Sequence, residues 1–246
     1  MSQNDQNYTT NLLLQAMTHD DLMLLMPHLT RVPLEREQVL VMPDAPIEHV
    51  YFPEGGIGSV IADMPETGAV EVGIFGYEGM SGCSALLGSD TTLTRSFIQV
   101  GGATALRIDL ARLHAAIAQS STLQVVLLRY VQTMMMQVML GVVVNAHHRM
   151  EARLARWLLM CHDRWNSNEI PLTHEFMAMM IGVQRTGVTV TLHILEGGGA
   201  IRSKRGRVTI LDRERLEELA GDAYGAPEAE YRRLIGPFGC SATAGA

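Results

Sequence analysis

The segment that most constrains the fold covers residues 120–148, because it favours helix and contains no proline. At 1.5 Å rise per residue it predicts a helix about 40 Å long, which usually packs against something outside its own domain. Apolar residues recur in it at steps of three and four, which indicates one stripe. The stripe consists of Leu123, Leu127, Tyr130, Met134, Val138, Gly141 and Val144. Because the stripe approximates a coiled-coil seam, we expect a second copy of the chain to pack along it, with a buried core helix as the alternative.

Residues 31–110 have a different residue pattern, in which short runs of β-branched residues are separated by turns that contain glycine or proline. Residues 49–52 and 96–100 are two of these runs. Strands at this spacing, with no helix between them, predict an antiparallel sandwich or barrel. A helical piece precedes them and a short helix over residues 109–118 follows them.

The charge is distributed unevenly along the chain. The net charge of the whole chain, −7, argues against binding to nucleic acid, but the charges of its separate segments do not. Residues 1–118 carry fourteen acidic and five basic side chains, whereas residues 145–210 carry nine basic and five acidic ones. A phosphate responds to the local field, so a basic module can bind DNA inside an acidic chain. We therefore expect an acidic front domain joined to a basic back domain.

Residues 173–196 follow the pattern of a helix-turn-helix. Thr173 can cap a first short helix, and Gly182 breaks it where the turn needs a positive φ. Val188 is apolar where the second helix packs inward. The exposed start of the second helix then carries Gln184, Arg185, Thr186 and Thr189. Such side chains suit base edges in a major groove, with Arg for guanine and Gln for adenine.

A basic hairpin follows the second helix. Two β-type runs flank Lys204-Arg205-Gly206, and Lys204 is the only lysine in the chain. The pattern predicts a wing that contacts phosphates, with an ordinary solvated hairpin as the alternative. The candidate DNA-binding residues are Thr173, His174, Gln184, Arg185, Thr186, Thr189, Arg202, Lys204, Arg205 and Arg207.

This order of elements, over roughly residues 12–220, resembles the superfamily of bacterial transcription factors that includes the cyclic-AMP receptor protein and the fumarate–nitrate regulator (Crp/Fnr). The most specific match is Gly182-Val183-Gln184-Arg185-Thr186-Gly187-Val188, which is similar to the family's G-x-S-R-E-T-V. Arg185 falls on the base-reading arginine of that motif. Thr186 replaces the usual glutamate and Val190 a further arginine, so the DNA target should differ.

The resemblance implies an α+β chain of four parts. They are a cyclic-nucleotide-binding-like antiparallel β-roll over residues 11–118, a dimerisation helix over 119–148, a winged helix-turn-helix over 149–220 and a C-terminal tail over 221–246, which we expect to fray. It also implies a homodimer that binds a palindromic operator in double-stranded DNA, works in the cytoplasm and contacts RNA polymerase. The dimer interface would be Leu123, Leu127, Tyr130, Met134, Val138 and Gly141.

The phosphate-binding cassette of that family is matched less well. The family pattern is G-E-[LM]-[AS]-L followed by R-[ST]-A, and the corresponding residues here begin at Gly79. Arg95 can pair with a phosphate, but the ribose-holding glutamate is missing and Glu78 stands before the glycine instead. The candidate effector-binding residues are Gly79, Ser81, Arg95 and Ser96. Three possibilities for the effector stay open: cyclic AMP, another small anion, or no effector at all. Arg95 could instead pair with an acidic residue of its own domain. We expect weak or no binding of cyclic AMP.

The sequence gives little support for a metal site or a redox site. Cys83, Cys161 and Cys240 are too scattered for a disulfide framework, a zinc pair or an iron–sulfur cluster, which fits a reducing compartment. His147-His148 and Cys161-His162 match no zinc spacing. We therefore expect no metal and no cofactor, although haem held by one His or Cys stays open.

Two functions of other classes compete with DNA binding. One is a cyclic-nucleotide-responsive signalling module without DNA binding, which the helix-turn-helix and wing argue against. The other is an enzyme with its active site in the barrel, but no catalytic constellation emerges from the sequence. The N-terminus resembles no signal peptide, and polar residues interrupt every long apolar run, so we expect no membrane partner.

Overall fold

The computed structural model describes residues 8–64, 66 and 68–239. Helices α1 (Leu12–Gln15) and α2 (His19–Leu25) and a 3-10 turn (Met26–His28) lead into the first strands. The strands are β1 (Thr30–Leu34), β2 (Val39–Val41), β3 (His49–Pro53), β4 (Ile57–Met64), β5 (Gly68–Phe75), β6 (Thr94–Val100) and β7 (Ala103–Asp109), with a 3-10 turn (Cys83–Leu87) before β6. They form two antiparallel sheets, ordered β1-β7-β3 and β2-β6-β4-β5. The predicted antiparallel β domain is confirmed.

The second half of the chain is mostly helical. Its elements are α3 (Leu110–Ile117), α4 (Ser121–His147), α5 (Met150–His162), β8 (Glu169–Ile170), α6 (His174–Met180), α7 (Arg185–Gly197), β9 (Ile201–Lys204), β10 (Arg207–Ile210), α8 (Arg213–Ala220), a 3-10 turn (Gly221–Ala223) and α9 (Ala226–Leu234). Ser120 caps the long helix α4, since its side chain accepts a hydrogen bond from the Leu123 backbone N–H. Strands β8, β10 and β9 form a small antiparallel sheet beside α7.

The inner face of α4 packs on the β domain of its own chain. Leu123, Leu127 and Tyr130 are buried, and the Tyr130 hydroxyl donates to the Met80 carbonyl at 3.2 Å. Gln137 bonds to both backbone groups of Ile74, through Oε1 at 2.7 Å and Nε2 at 3.2 Å. The predicted dimer seam is therefore wrong at its first three residues. The physical reason is that the β domain needs an apolar cover, and periodicity alone does not say which surface a stripe packs against.

The remaining seam residues of the prediction lie at the border of this inner face. Met134 and Val138 line a cavity against the β domain, and Gly141 lies against the half-buried side of α5 with Arg156 as its neighbour. A different stripe of α4 faces solvent, and its members recur at steps of three and four residues. It consists of Val125, Leu128, Gln132, Met135, Met139 and Val142.

Among the described residues, α4 is also a helix long and apolar enough to cross a membrane, by length and composition only. Polar side chains within it, such as Gln132 and Gln137, do not lower its mean hydropathy enough to exclude a span. In the fold, 28% of the apolar window is buried inside the chain, and Gln137 bonds to β5. The inner face of the helix is therefore satisfied by protein.

The chain does not fray after the last predicted domain. Helix α9 lies against α4, where the Arg129 guanidinium donates to the Leu234 carbonyl at 3.2 Å. The Tyr231 hydroxyl donates to the Glu78 carbonyl at 2.6 Å, and Phe238 is buried. The expected tail is therefore wrong for residues 226–238, because their apolar side chains complete the core between α4 and the β domain. The last residues, 240–246, lie outside the described part, and so does Cys240.

Candidate nucleic-acid interface

Helices α6 and α7 form the predicted helix-turn-helix. Thr173 caps α6 by accepting from the Phe176 backbone N–H at 3.1 Å. The chain then turns at Gly182, whose φ of +63° lies in the left-handed region that glycine adopts without strain. Val188 and Leu192 bury one face of α7 in the domain core. The local sequence therefore sets the angle at which α7 leaves the turn.

The first turn of α7 is open to solvent. Gln184, Arg185 and Thr186 are exposed, and 64% of the Arg185 side chain is accessible. The Arg185 guanidinium donates to the Glu175 carboxylate at 2.7 Å. Arg185 is thus held in place by a solvent-exposed ion pair, which is worth about 0–1 kcal/mol and is easily exchanged.

His174 links three elements of the domain. Its Nδ1 lies 3.1 Å from the Thr189 hydroxyl on α7, and its Nε2 lies 3.3 Å from the Ser203 hydroxyl on β9. Thr189 is half-buried and also donates to the Arg185 carbonyl at 3.1 Å. Thr173, His174 and Thr189 thus hold the domain together, and their contact with DNA stays a prediction.

Strands β9 and β10 form the predicted basic wing beside α7. Gly206, at φ +77°, makes the tight turn between them. Arg202, Lys204 and Arg205 are exposed and make no salt bridge within residues 8–64, 66 and 68–239. Arg207 differs, because its Nη1 lies 2.8 Å from the Glu169 carboxylate. The wing, whose strand β9 contacts α7, therefore offers three cations that have no salt-bridge partner among the described residues.

Residues 152–219 match the family described as the Crp-like helix-turn-helix domain. We refer to this matched segment below as the Crp-like domain. The match confirms the resemblance drawn from residues 182–188. No curated protein sequence matches the chain.

Solved structures share the fold of the whole chain. One is a protein from Eubacterium rectale assigned to the Crp/Fnr family of transcriptional regulators, with a TM-score of 0.66 at 19% identity, covering 85% of this chain and 97% of that one. A Crp-family transcriptional regulator from Thermus thermophilus aligns with a TM-score of 0.64 at 22% identity, over 80% and 99% of the two chains. FixK2 from Bradyrhizobium japonicum has a TM-score of 0.65 at 15% identity, over 78% and 98%. The likeness confirms the predicted α+β fold of β domain, long helix and C-terminal helix-turn-helix.

Of the four candidate effector residues, two share a cavity and two do not line it. Ser81 and Ser96 line a cavity of about 100 Å³ between the β domain and α4. Gly79 lies against the Tyr130 ring, since a Cβ there would be within 2.3 Å of ring carbon. Arg95 points elsewhere and pairs with Asp63, with Nε and Oδ2 3.2 Å apart. This is the alternative that the sequence left open for Arg95, and it leaves the cavity without the predicted cation.

Glu78 forms a buried ion pair and does not line the cavity. Its carboxylate lies 2.8 Å from the guanidinium of Arg164 at the end of α5, and both side chains are at most 3% exposed. Although burial opposes the charge of Arg164, the neighbouring Glu78 carboxylate raises the pKa of that guanidinium above its usual value. Sequence reasoning missed this pair, because no periodicity or spacing relates two residues so far apart in the chain.

The Crp-like domain meets the β domain at two further points. The Trp157 indole N–H donates to the Glu71 carboxylate at 2.7 Å, and burial raises the pKa of Glu71 to about 8. The rings of Phe97 and Phe176 meet edge to face with centroids 6.0 Å apart. Helix α6 of the helix-turn-helix is therefore seated on the sheet that lines the cavity. Among the described residues, no group of three or more His, Cys, Asp or Glu side chains could hold a metal ion.

The pair of Glu78 and Arg164 predicts a large stability effect. Glu78→Gln leaves a buried guanidinium without its counter-charge, so we expect the free energy of unfolding to fall by about 3–5 kcal/mol. Asp63→Asn, which removes the exposed pair with Arg95, is the matched control and should cost about 0–1 kcal/mol. Urea unfolding at neutral pH measures both. Equal unfolding midpoints for the two variants would contradict the assignment.

Proposed function

We propose that the protein is a transcription regulator that binds a palindromic DNA operator as a homodimer. The observation that carries the proposal is the solvent-open first turn of α7, set beside an uncompensated basic wing in a Crp-like helix-turn-helix domain. A role on DNA places its work in the cytoplasm, with RNA polymerase as the expected second partner.

Helix α7 supplies the sequence readout. Arg185 at the start of α7 can exchange the Glu175 carboxylate for guanine O6 and N7, which it contacts with two hydrogen bonds. Such a bidentate contact discriminates by about 1–3 kcal/mol, which exceeds the value of the exposed ion pair it replaces. Gln184 and Thr186 lie beside Arg185 and can bond to neighbouring base edges.

The wing supplies affinity without sequence information. Arg202, Lys204 and Arg205 are free to pair with phosphates, because no carboxylate of the described residues lies in salt-bridge distance of them. Binding should therefore weaken steeply with salt as counterions are released from DNA.

The exposed stripe of α4 is the dimer face in this proposal. Its members repeat at the a and d spacing of a heptad, and five of the six are apolar and 39–66% exposed. Gln132 is the polar member, a type of residue that fixes register in coiled coils at a cost in stability. A two-fold pair of chains would present two α7 helices about 34 Å apart, which matches half-sites one helical turn apart.

The cavity of the β domain supports a small effector of low charge better than a cyclic nucleotide. Serine and threonine hydroxyls and apolar side chains line it, and no charged side chain of the described residues does. Burial also raises the pKa of the Cys83 thiol in its wall to about 12, which disfavours the reactive thiolate at neutral pH. We therefore expect weak or no binding of cyclic AMP.

Two variants test the assignment of reading helix and wing. Arg185→Ala should weaken binding to the cognate duplex by about 1–3 kcal/mol and relax the preference at one base pair, because it removes a guanine contact. Lys204→Ala should weaken binding to cognate and scrambled duplexes alike and lower the salt slope by about one unit per subunit. Titrations of both variants at several salt concentrations measure this.

The two results separate the alternatives. If Arg185→Ala weakened both duplexes equally, α7 would not be the reading helix. Absence of binding to any duplex by the unmodified chain at low salt would instead favour the signalling module without DNA binding.

A second pair of variants tests the dimer face. Met139→Glu places a charge on the exposed stripe, so we expect a folded monomer by sedimentation with an unchanged circular-dichroism spectrum. Leu127→Glu places the same charge in the buried face and should prevent folding instead. A Met139→Glu chain that still sediments as a full dimer would refute this interface.

A further inference from the structure

Helix α7 exposes two aliphatic side chains, Val190 at 60% and Ile194 at 48%. Successive residues of a helix turn by about 100°, so the direction of each side chain follows from its position. Val188, Leu192 and Leu195 define the buried direction. Val190 lies within about 30° of the direction opposite to it. It therefore stands at the centre of the outward surface of α7.

Val190 has an exposed neighbour with a methyl group. Thr186 precedes it by four residues, and side chains at that spacing are adjacent on a helix surface. Together they form a small apolar surface that begins at the residue after Arg185. Neither side chain makes a hydrogen bond or ion pair that would turn it toward its own domain in the described part of the chain.

A major groove offers one group that suits such a surface. Of the four bases, only thymine carries a methyl group there, at C5, whereas the other edges present hydrogen-bonding atoms. An aliphatic side chain facing the groove gains free energy at thymine and leaves polar atoms unpaired elsewhere. The chemistry of this position thus selects one base.

We propose that Val190 is a specificity-determining residue that contacts the C5-methyl group of a thymine, with Thr186 beside it. The inference rests on the proposed function, because it takes α7 as the reading helix. Five residues of helix separate Val190 from Arg185, which is about 7.5 Å along the axis. The thymine therefore lies in the same half-site as the guanine that Arg185 contacts.

Uracil substitution tests the contact, because uracil differs from thymine only by that methyl group. The duplex is one that the full-length chain selects from a random pool, and each thymine of one half-site is replaced in turn. We expect one position at which uracil weakens binding about fourfold, the equivalent of about 0.8 kcal/mol for one buried methyl-sized group. Val190→Ala should bind the thymine and uracil duplexes equally at that position.

Ile194→Ala is the matched control, since it truncates the other exposed aliphatic residue one turn further along α7. It should keep the fourfold preference for thymine. Both variants remove an exposed side chain and introduce a strong helix former, so the fold is retained.

Two outcomes would overturn the inference while leaving the proposed function standing. One is binding to the selected duplex that no uracil substitution affects. The other is a thymine preference that persists in Val190→Ala or disappears in Ile194→Ala. Failure of the unmodified chain to select any duplex would overturn the proposed function and this inference together.

Discussion

The ion pair between Glu78 and Arg164 joins the two halves of the chain. Glu78 follows β5 in the β domain. Arg164 follows α5, the first helix of the Crp-like domain. The pair is buried, so loss of either charge leaves the other without its nearest counter-charge. The Tyr231 hydroxyl also bonds to the Glu78 carbonyl, which brings the C-terminal segment to the same point.

A second set of contacts continues this junction. Asp163 accepts from the Arg213 guanidinium at 2.8 Å and from the Tyr224 hydroxyl at 2.6 Å, so the end of α5 is also tied to α8. The position of the Crp-like domain is therefore set by buried polar groups, which tolerate few geometries. Strand β5 carries Glu71 of the junction and also forms part of the cavity wall, so the cavity and the seat of the helix-turn-helix share one strand.

Much of the fold could be predicted because it depends on local patterns. The turn at Gly182, the cap at Thr173 and the basic wing follow from residue types at fixed spacing, and each is where the sequence predicts it. The face of α4 could not be assigned in this way. Its residues alternate between two apolar stripes, and only the position of the β domain decides which of them is covered.

The candidate effector site and the C-terminal helix show the same limit. Arg95 could pair with a ligand or with Asp63, and the sequence alone does not distinguish these two partners. Likewise, the composition of residues 226–238 gives no sign that Tyr231 and Phe238 complete a core that contains residues 80 and 130. Long-range pairs of this kind depend on the tertiary arrangement, and no periodicity encodes them.

If paired α7 helices read guanine in two successive major grooves, Arg185 should cover guanine N7 in each of them. Methylation protection measures this directly, because dimethyl sulfate modifies guanine N7. The account predicts two groups of protected guanines on one face of the selected duplex, about 10 base pairs apart, both losing protection in Arg185→Ala. Guanines that stay equally reactive with and without the protein, while the duplex is fully bound, would contradict it.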